Sequence, residues 1–259
     1  MELPEITILI PSWNRQNFLD LILMNIKSQL YPHDKIQVII DDDSEDKLKQ
    51  LIPSVALLQK VQEHLHPIQL TYINNKPRRT IGKKRNDLVK ECKTKIFAFQ
   101  DSDDLYMNTY LTHSYQLMKE KKVGCVGTDK MIFCMTQKNF NIHGINCGDQ
   151  IIQIHEATIM ATKKWFRASC GFAETGFGEG KNLFQGIGKV AISDINQVMV
   201  CIQHSGNSVD KLQFANDDNK IDIQISEDIK NILKKILDIK DEQVEQSDEE
   251  VEIKGGNMI

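Results

Sequence analysis

Four short apolar segments in the first half of the chain each end in a cluster of polar residues. The segments are 6–10, 36–40, 68–73 and 95–99. Apolar residues also recur at the three- and four-residue spacing of amphipathic helices, at 18–29, 82–92 and 108–121. Strands that alternate with helices are typical of βαβ units. We therefore expect an α/β fold with a mainly parallel central sheet flanked by helices.

The polar clusters that follow the four predicted strands lie at 11–15, 41–44, 74–77 and 101–104. In an open parallel sheet, ligands bind outside the carboxyl ends of the strands. The four clusters are therefore expected to contribute to one binding site.

The cluster after the fourth strand contains Asp101, Asp103 and Asp104, three carboxylates within four residues. Carboxylates this close repel one another unless a cation neutralises them, and Mg²⁺ and Mn²⁺ prefer oxygen ligands. Such an ion would also bind phosphate oxygens. A solvated acidic turn is the alternative, but the pattern favours a metal site.

Two further clusters suggest contacts to a nucleotide. The segment 78–86 contains five basic residues around Gly82, which is expected to open a helix. Cationic side chains and free N–H groups there would suit a diphosphate, although a solvated basic face is the alternative. The acidic segment 41–43 offers acceptors for a base N–H or ribose hydroxyls, or a helix cap.

The second half of the chain is less regular. Strands are expected at 123–127, 131–135, 151–154 and 198–203, and a helix at 226–239. Six of the 18 residues from 171 to 188 are glycine, which suits a loop that approaches a ligand closely. We predict a catalytic domain over 1–215, followed over 216–259 by a helix and a disordered acidic tail.

Charge and cysteine usage exclude several classes of protein. Seven acidic and no basic residues lie between 241 and 252, and the net charge of −4 becomes +3 when these seven are left out. That charge is too small and too scattered for a nucleic-acid surface. The six cysteines show no zinc-site spacing. Neither a signal peptide nor an 18-residue apolar run occurs, so no transmembrane segment and a cytoplasmic, soluble protein are expected.

The order and spacing of these clusters resemble glycosyltransferase family 2. The motifs are Pro11-Ser12-Trp13-Asn14-Arg15, Asp41-Asp42-Asp43-Ser44, Gly82-Lys83-Lys84-Arg85-Asn86 and Asp101-Ser102-Asp103-Asp104. The resemblance implies a GT-A fold, Mn²⁺ or Mg²⁺ as cofactor, and a nucleotide-sugar donor, with a UDP-sugar expected. It further implies inverting transfer of a hexosyl or N-acetylhexosaminyl group to a hydroxyl of a glycan, protein or lipid-linked acceptor.

The resemblance also assigns roles to individual residues. Asp42 would contact the base and Pro11 would line the nucleotide pocket. Arg79 and Arg85 would lie near the diphosphate, and Asp101 near the ribose or sugar. Asp103 would bind the metal, and His204, in Gln203-His204-Ser205-Gly206-Asn207, would be a further metal or phosphate contact.

The general base is expected in the segment 176–184, which looks like the family's acidic catalytic segment. That segment often reads Glu-Asp, whereas here Glu179 is followed by Gly180. Glu179 is our predicted base, with Glu174 and Asp194 as reserves. Inverting transfer needs one such base, because the acceptor hydroxyl must lose its proton as it attacks.

Two other functions compete with this interpretation. An apolar strand that ends in Asp-Ser-Asp also resembles haloacid-dehalogenase phosphatases, but there the second aspartate is usually followed by Gly and Thr or Val, and here Asp104-Leu105 follows. A non-catalytic protein that binds a nucleotide sugar is the second alternative, because Gly180 replaces the usual aspartate.

Overall fold

The computed structural model describes residues 3–74, 77–147, 154–184, 189–207, 211–215, 217–221 and 224–240. Its strands are β1 (Ile6–Ser12), β2 (Ile36–Asp42), β3 (Gln69–Ile73), β4 (Ile96–Phe99), β5 (Leu105–Tyr106), β6 (Cys125–Gly127), β7 (Lys130–Met135), β8 (Asn141–Asn146), β9 (Met160–Thr162), β10 (Ala191–Ile192), β11 (Met199–Gln203) and β12 (Lys220–Ile221). Its α-helices are α1 (Leu19–Lys27), α2 (Val55–Leu65), α3 (Ile81–Glu91), α4 (Tyr110–Lys121), α5 (Lys163–Ala168) and α6 (Glu227–Leu237).

The chain divides into two compact units. The first comprises Met1–Met131 and Asn146–Cys201, and the second comprises Ile132–Ile145 and Ile202–Ile259. This division differs from the domain boundary predicted after residue 215, which stays a prediction. The acidic segment 241–252 lies outside the described residues.

The first unit is built on a seven-stranded sheet with the order β10-β6-β9-β4-β1-β2-β3. Strand β1 pairs in parallel with β2 and β4, and β2 pairs in parallel with β3. Strand β9 is antiparallel to both β4 and β6. The predicted mixed, mainly parallel sheet is therefore confirmed, as are the four strands of the first half.

The central strands form the core because they are buried along their whole length. All residues of β1 and β4 are buried, as expected for parallel strands covered on both faces. Helices α2, α3, α4 and α5 pack against β3, β1, β6 and β9, respectively. The rings of Phe97 and Phe99 pack edge to face in this core, with their centroids 5.5 Å apart.

Side-chain caps set the starts of several helices. The Thr80 hydroxyl accepts from the Lys83 N–H at the start of α3, and the Ser54 hydroxyl accepts from the Leu57 N–H at the start of α2. Each cap satisfies an N–H that has no partner within the helix. Helices α3 and α4 agree with the predicted segments, whereas α2 was not predicted.

The second unit contains most of β7, most of β8, β12 and α6. Strands β8 and β12 are antiparallel, with Ile142 opposite Ile221. Helix α6 buries Leu233 and Ile236. It lies within the predicted helix at 226–239, while three residues of the strand predicted at 151–154 fall outside the described residues. In the described part of the chain, no helix is long and apolar enough to cross a membrane.

Candidate active site

The carboxyl ends of β1, β2 and β4 meet at one edge of the sheet. In the strand register, Ser12 lies opposite Asp42, Pro11 lies opposite Asp41, and Leu9 lies opposite Phe99. The polar residues that follow these strands are therefore neighbours, as the sequence predicted. Pro11 is a buried residue within β1.

The acidic loop after β4 is held by two buried polar side chains. Asn25 of α1 donates to the Asp104 carbonyl at 2.8 Å and accepts from the Tyr106 N–H at 3.0 Å. The Tyr106 hydroxyl accepts from the Asp101 N–H at 2.7 Å and donates to the Ala157 carbonyl at 3.0 Å. These bonds fix the backbone that carries Asp101 and Asp103.

Arg85, on α3, is the centre of the site. Its side chain is 3% exposed. Its Nη2 lies 3.0 Å from Asp101 Oδ1, and its Nε donates to Glu179 Oε1 at 3.0 Å. Burial acts to lower the pKa of Arg85, but the charges of Asp101 and Glu179 outweigh it and raise the pKa above its ordinary value. The guanidinium therefore stays charged and joins two predicted site residues.

Asp101 remains partly accessible although it contacts Arg85. Its side chain is 25% exposed. Burial raises the pKa of Asp101, and the charges of Asp103 and Glu179 add to this effect, while Arg85 opposes it. An additional cation or hydrogen-bond donor at this carboxylate would stabilise its charged form.

Asp103 is paired with Arg15, a residue for which the sequence predicted no role. Both Nε and Nη2 of Arg15 lie 2.9 Å from Asp103 Oδ2. Arg15 belongs to the polar cluster after β1, so the pair connects the loops after β1 and β4. Both side chains are largely buried but retain some exposure.

Arg79 lies among carboxylates of the chain itself. Its Nη2 is 2.6 Å from Asp41 Oδ1, its Nη1 donates to Asp87 at 3.0 Å, and its backbone N–H donates to Asp43 at 2.8 Å. Lys84 donates to Asp43 as well, and burial lowers the pKa of Lys84 against the opposing charge of Asp43. The predicted contact of Arg79 with a diphosphate stays a prediction, since carboxylates hold its guanidinium here.

Asp42 is held entirely by protein donors. Its Oδ1 accepts from the N–H and the hydroxyl of Ser44 at 3.1 and 2.6 Å. Its Oδ2 accepts from the Leu51 N–H at 2.8 Å and the Tyr72 hydroxyl at 2.7 Å. Burial and the Asp42 charge raise the pKa of Tyr72, so this phenol remains a donor. Asp42 is 0% exposed, and its predicted contact to a base would have to displace one of these donors.

Gly82 serves close packing rather than anion binding. Helix α3 begins at Ile81, and the Gly82 N–H donates to the Thr175 carbonyl at 3.3 Å. A Cβ at Gly82 would lie 1.7 Å from the Ala173 oxygen and 2.9 Å from Glu179 Cβ. The Gly82 N–H is thus bonded within the protein, because the segment that carries Glu179 covers it. The predicted diphosphate contact of the basic segment 78–86 stays a prediction.

Glu179 lies in the site, unlike the two reserve bases. It begins a 3₁₀ turn, Glu179–Asn182, and is buried beside Arg85. Glu174 is 59% exposed and lies 3.5 Å from Lys83. Asp194 is exposed and caps a turn by accepting from the Asn196 N–H at 3.0 Å. Of these three carboxylates, only Glu179 is buried and linked through Arg85 to Asp101.

His204 belongs to the second unit. Its Nδ1 accepts from the Gly206 N–H at 3.1 Å, and its own N–H donates to Asn207 Oδ1 at 2.7 Å. These bonds hold a local turn, and the predicted metal or phosphate contact stays a prediction. Within the described part of the chain, no group of three or more His, Cys, Asp or Glu residues is arranged to hold a metal ion.

A known protein family matches the part of the chain that carries the strands and the acidic loop of this site. Residues 7–173 match the family described as Glycosyl transferase family 2. The chain belongs to this family. The match covers β1 to β4, α3 and the acidic loop, so the resemblance seen in the sequence motifs is confirmed. No curated protein matches the sequence.

Solved structures share the fold of this family 2 chain at low sequence identity. The mannosyltransferase PcManGT from Pyrobaculum calidifontis, in complex with GDP-Man and Mn²⁺, has a TM-score of 0.55 and 18% identity, and the match covers 78% of this chain and 57% of that one. TarS 1–349 of S. aureus in complex with UDP-GlcNAc has a TM-score of 0.56 and 16% identity, covering 90% and 65%. These neighbours confirm the GT-A fold, and this chain spans less than two thirds of either.

Several residues of the site were not found from the sequence. Arg15, Tyr106 and Lys84 lie inside or next to predicted clusters. The partners of Arg15 and Lys84, Asp103 and Asp43, lie in the loops after β4 and β2, and the Tyr106 hydroxyl accepts from the Asp101 N–H. Asn25 was visible as a polar residue on the apolar face of its helix. Such a residue requires a buried partner, which here is the acidic loop.

Replacing Gly82 by Ala should displace the segment that carries Glu179. Alanine favours a helix over glycine by up to about 1 kcal/mol, but overpacking against backbone typically costs about 1–3 kcal/mol. We expect a lower Tm, by roughly 2–4 °C for each kcal/mol lost. Gly176→Ala is the matched control, since a Cβ there meets nothing within 4 Å. Equal melting temperatures for the two variants would refute the close-packing role.

Proposed function

We propose that the chain is a metal-dependent, inverting glycosyltransferase. It transfers a hexosyl or N-acetylhexosaminyl group from a nucleotide sugar, with a UDP-sugar expected, to a hydroxyl of a glycan, protein or lipid-linked acceptor. The observation that carries the proposal is the position of Arg85, whose guanidinium contacts both Asp101 of the acidic loop and Glu179 of the glycine-rich segment.

The acidic loop suits a metal ion shared with a diphosphate. Asp101 and Asp103 supply carboxylate oxygens, the ligand type that Mg²⁺ and Mn²⁺ accept. Mg²⁺ is usually bound by one or two carboxylates together with substrate phosphates, so a group of three protein ligands is not needed. In this proposal Asp103 binds the metal. When bound, the metal would stabilise the charge of the departing diphosphate.

The protein's residues then have separate roles. Glu179 accepts the proton of the acceptor hydroxyl while the oxygen of that hydroxyl bonds to the anomeric carbon. The bond between that carbon and the phosphate oxygen breaks, and its electron pair leaves with the nucleoside diphosphate. Arg85 holds Glu179 and Asp101, and Pro11, Asp42 and Arg79 remain the proposed contacts to the nucleotide. A single displacement inverts the anomeric configuration.

A panel of nucleotide sugars tests the proposal. The structural neighbours contain GDP-Man and UDP-GlcNAc, so both belong in the panel beside other UDP-sugars. We expect release of nucleoside diphosphate with Mn²⁺ or Mg²⁺ and none with a chelator. Binding without release would instead favour a non-catalytic protein, and phosphate release from an aryl phosphate would favour a phosphatase.

The role of Asp103 is tested by Asp103→Asn, which keeps the size of the side chain but removes its charge. Titration calorimetry with UDP and Mn²⁺ should show at least a tenfold loss of affinity, which is about 1.4 kcal/mol. Asp34→Asn, at an exposed turn residue, is the matched control and should bind like wild type. Unchanged affinity in Asp103→Asn would remove Asp103 from the metal site.

The role of Glu179 is tested by Glu179→Gln, which removes basicity but leaves an oxygen that can accept from Arg85. Loss of a general base should lower turnover about 10²–10⁴-fold while UDP affinity stays close to wild type. Glu120→Gln, at an exposed residue of α4, serves as the control. Near-normal turnover in Glu179→Gln, or a product with retained anomeric configuration by NMR, would contradict this mechanism.

A further inference from the structure

A second carboxylate, that of Glu156, lies directly against Gly180. The Gly180 N–H donates to Glu156 Oε1 at 3.0 Å. A Cβ added to Gly180 would lie 2.3 Å from the same oxygen and 2.9 Å from Glu156 Cδ. The Glu156 carboxylate therefore fills the space in which a side chain at position 180 would begin.

The backbone does not require glycine at position 180. Among the described glycines, only Gly171 and Gly178 have a positive φ. A side chain at position 180 is thus excluded by the carboxylate of Glu156 rather than by the conformation of the chain. Glu156, from a different segment of the chain, thus places its carboxylate against Gly180, the residue that follows Glu179.

The segment that carries Glu156 is tied to the acidic loop. Glu156 begins the 3₁₀ turn Glu156–Thr158, and the Ala157 carbonyl of this turn accepts from the Tyr106 hydroxyl at 3.0 Å. The same hydroxyl accepts from the Asp101 N–H at 2.7 Å. Glu156 is therefore held by the network that positions Asp101.

The charges around Glu156 favour a carboxylate that can take up a proton. Burial raises the pKa of Glu156, and the charge of Glu179 raises it further, while Arg85 and the Gly180 N–H oppose the change. Cys147 also faces it: burial and the charges of Glu156 and Asp129 raise the pKa of this thiol to about 11, so the thiol stays neutral.

We propose that Glu156 is a further catalytic residue, which together with Glu179 receives the proton of the acceptor hydroxyl. The acceptor oxygen bonds to the anomeric carbon, and its proton passes to the carboxylates of Glu156 and Glu179. The bond from the anomeric carbon to the phosphate oxygen breaks, and the nucleoside diphosphate leaves with the electron pair of that bond. This inference rests on the proposed function, and it identifies Glu156 as the carboxylate that stands in place of a side chain at position 180.

The first test compares single and double substitutions, with the nucleotide sugar that the wild-type chain turns over in the donor panel and water as acceptor. Glu156→Gln should lower turnover about 10²–10⁴-fold and preserve UDP affinity. Residues that act as a unit are non-additive, so Glu156→Gln combined with Glu179→Gln should lose no more than a few-fold beyond the slower single variant. The pH profile of kcat should lose its acidic limb in Glu156→Gln. Glu120→Gln is again the control.

A relocated carboxylate tests the geometry itself. In Glu156→Ala the space beside position 180 is vacated, so Gly180→Asp added to that variant should restore turnover at least tenfold. Gly180→Asp alone should be destabilised and inactive, because its side chain would collide with Glu156. In the double variant Glu156→Ala, Gly180→Asp, we expect both turnover and the acidic limb of the pH profile of kcat to be restored. If Glu156 had only a structural role, the acidic limb would not be restored.

Melting temperatures separate a catalytic role from misfolding. A raised pKa means that ionised Glu156 destabilises the fold, so this group's contribution to stability is present at low pH and is lost as pH rises through its folded pKa. Glu156→Gln should therefore melt at or above the wild-type temperature at pH 8.

Normal turnover in Glu156→Gln, with Glu179→Gln inactive, would overturn this inference alone. A wild-type chain that turns over no donor would instead overturn the proposed function.

Discussion

The buried Arg85 guanidinium contacts the carboxylates of Asp101 and Glu179, and the site depends on these two contacts. A buried cation is tolerated only when it is paired, and the removal of one partner typically costs about 3–5 kcal/mol. The fork of the guanidinium can meet two carboxylates at once, which a lysine ammonium on its flexible stem does less well. Helix α3 thus joins the acidic loop after β4 to a segment that is distant in the chain.

The same helix also sets how closely that segment can approach. Gly82 lies one turn before Arg85, and its missing side chain admits the Ala173 carbonyl. The Gly82 N–H donates to the Thr175 carbonyl, so the start of α3 is used to anchor this segment. Close packing at Gly82 and ion pairing at Arg85 therefore act together on the position of Glu179.

The sheet and the location of the site could be predicted because they depend on local patterns. Each central strand is a continuous apolar segment that ends at its polar cluster, and parallel strands bring these ends to one edge. The side-chain partners of the site residues could not be predicted, because they depend on which segments pack together.

Arg79 and Arg85 look alike in the sequence, yet Arg79 contacts Asp41, Asp43 and Asp87, whereas Arg85 joins two predicted site residues. Glu156 was missed because its relation to Gly180 is purely spatial. The fold alone does not identify the donor, since a shared fold hosts different substrates.

The measurement that tests this account most directly is turnover and UDP binding by Arg85→Lys. Lysine keeps the buried positive charge but has no fork to hold both carboxylates. We expect a folded protein whose turnover falls at least 10²-fold, because Glu179 is no longer held relative to Asp101 and the donor. A folded Arg85→Lys protein that retains nearly wild-type turnover would contradict the claim that this guanidinium assembles the active site.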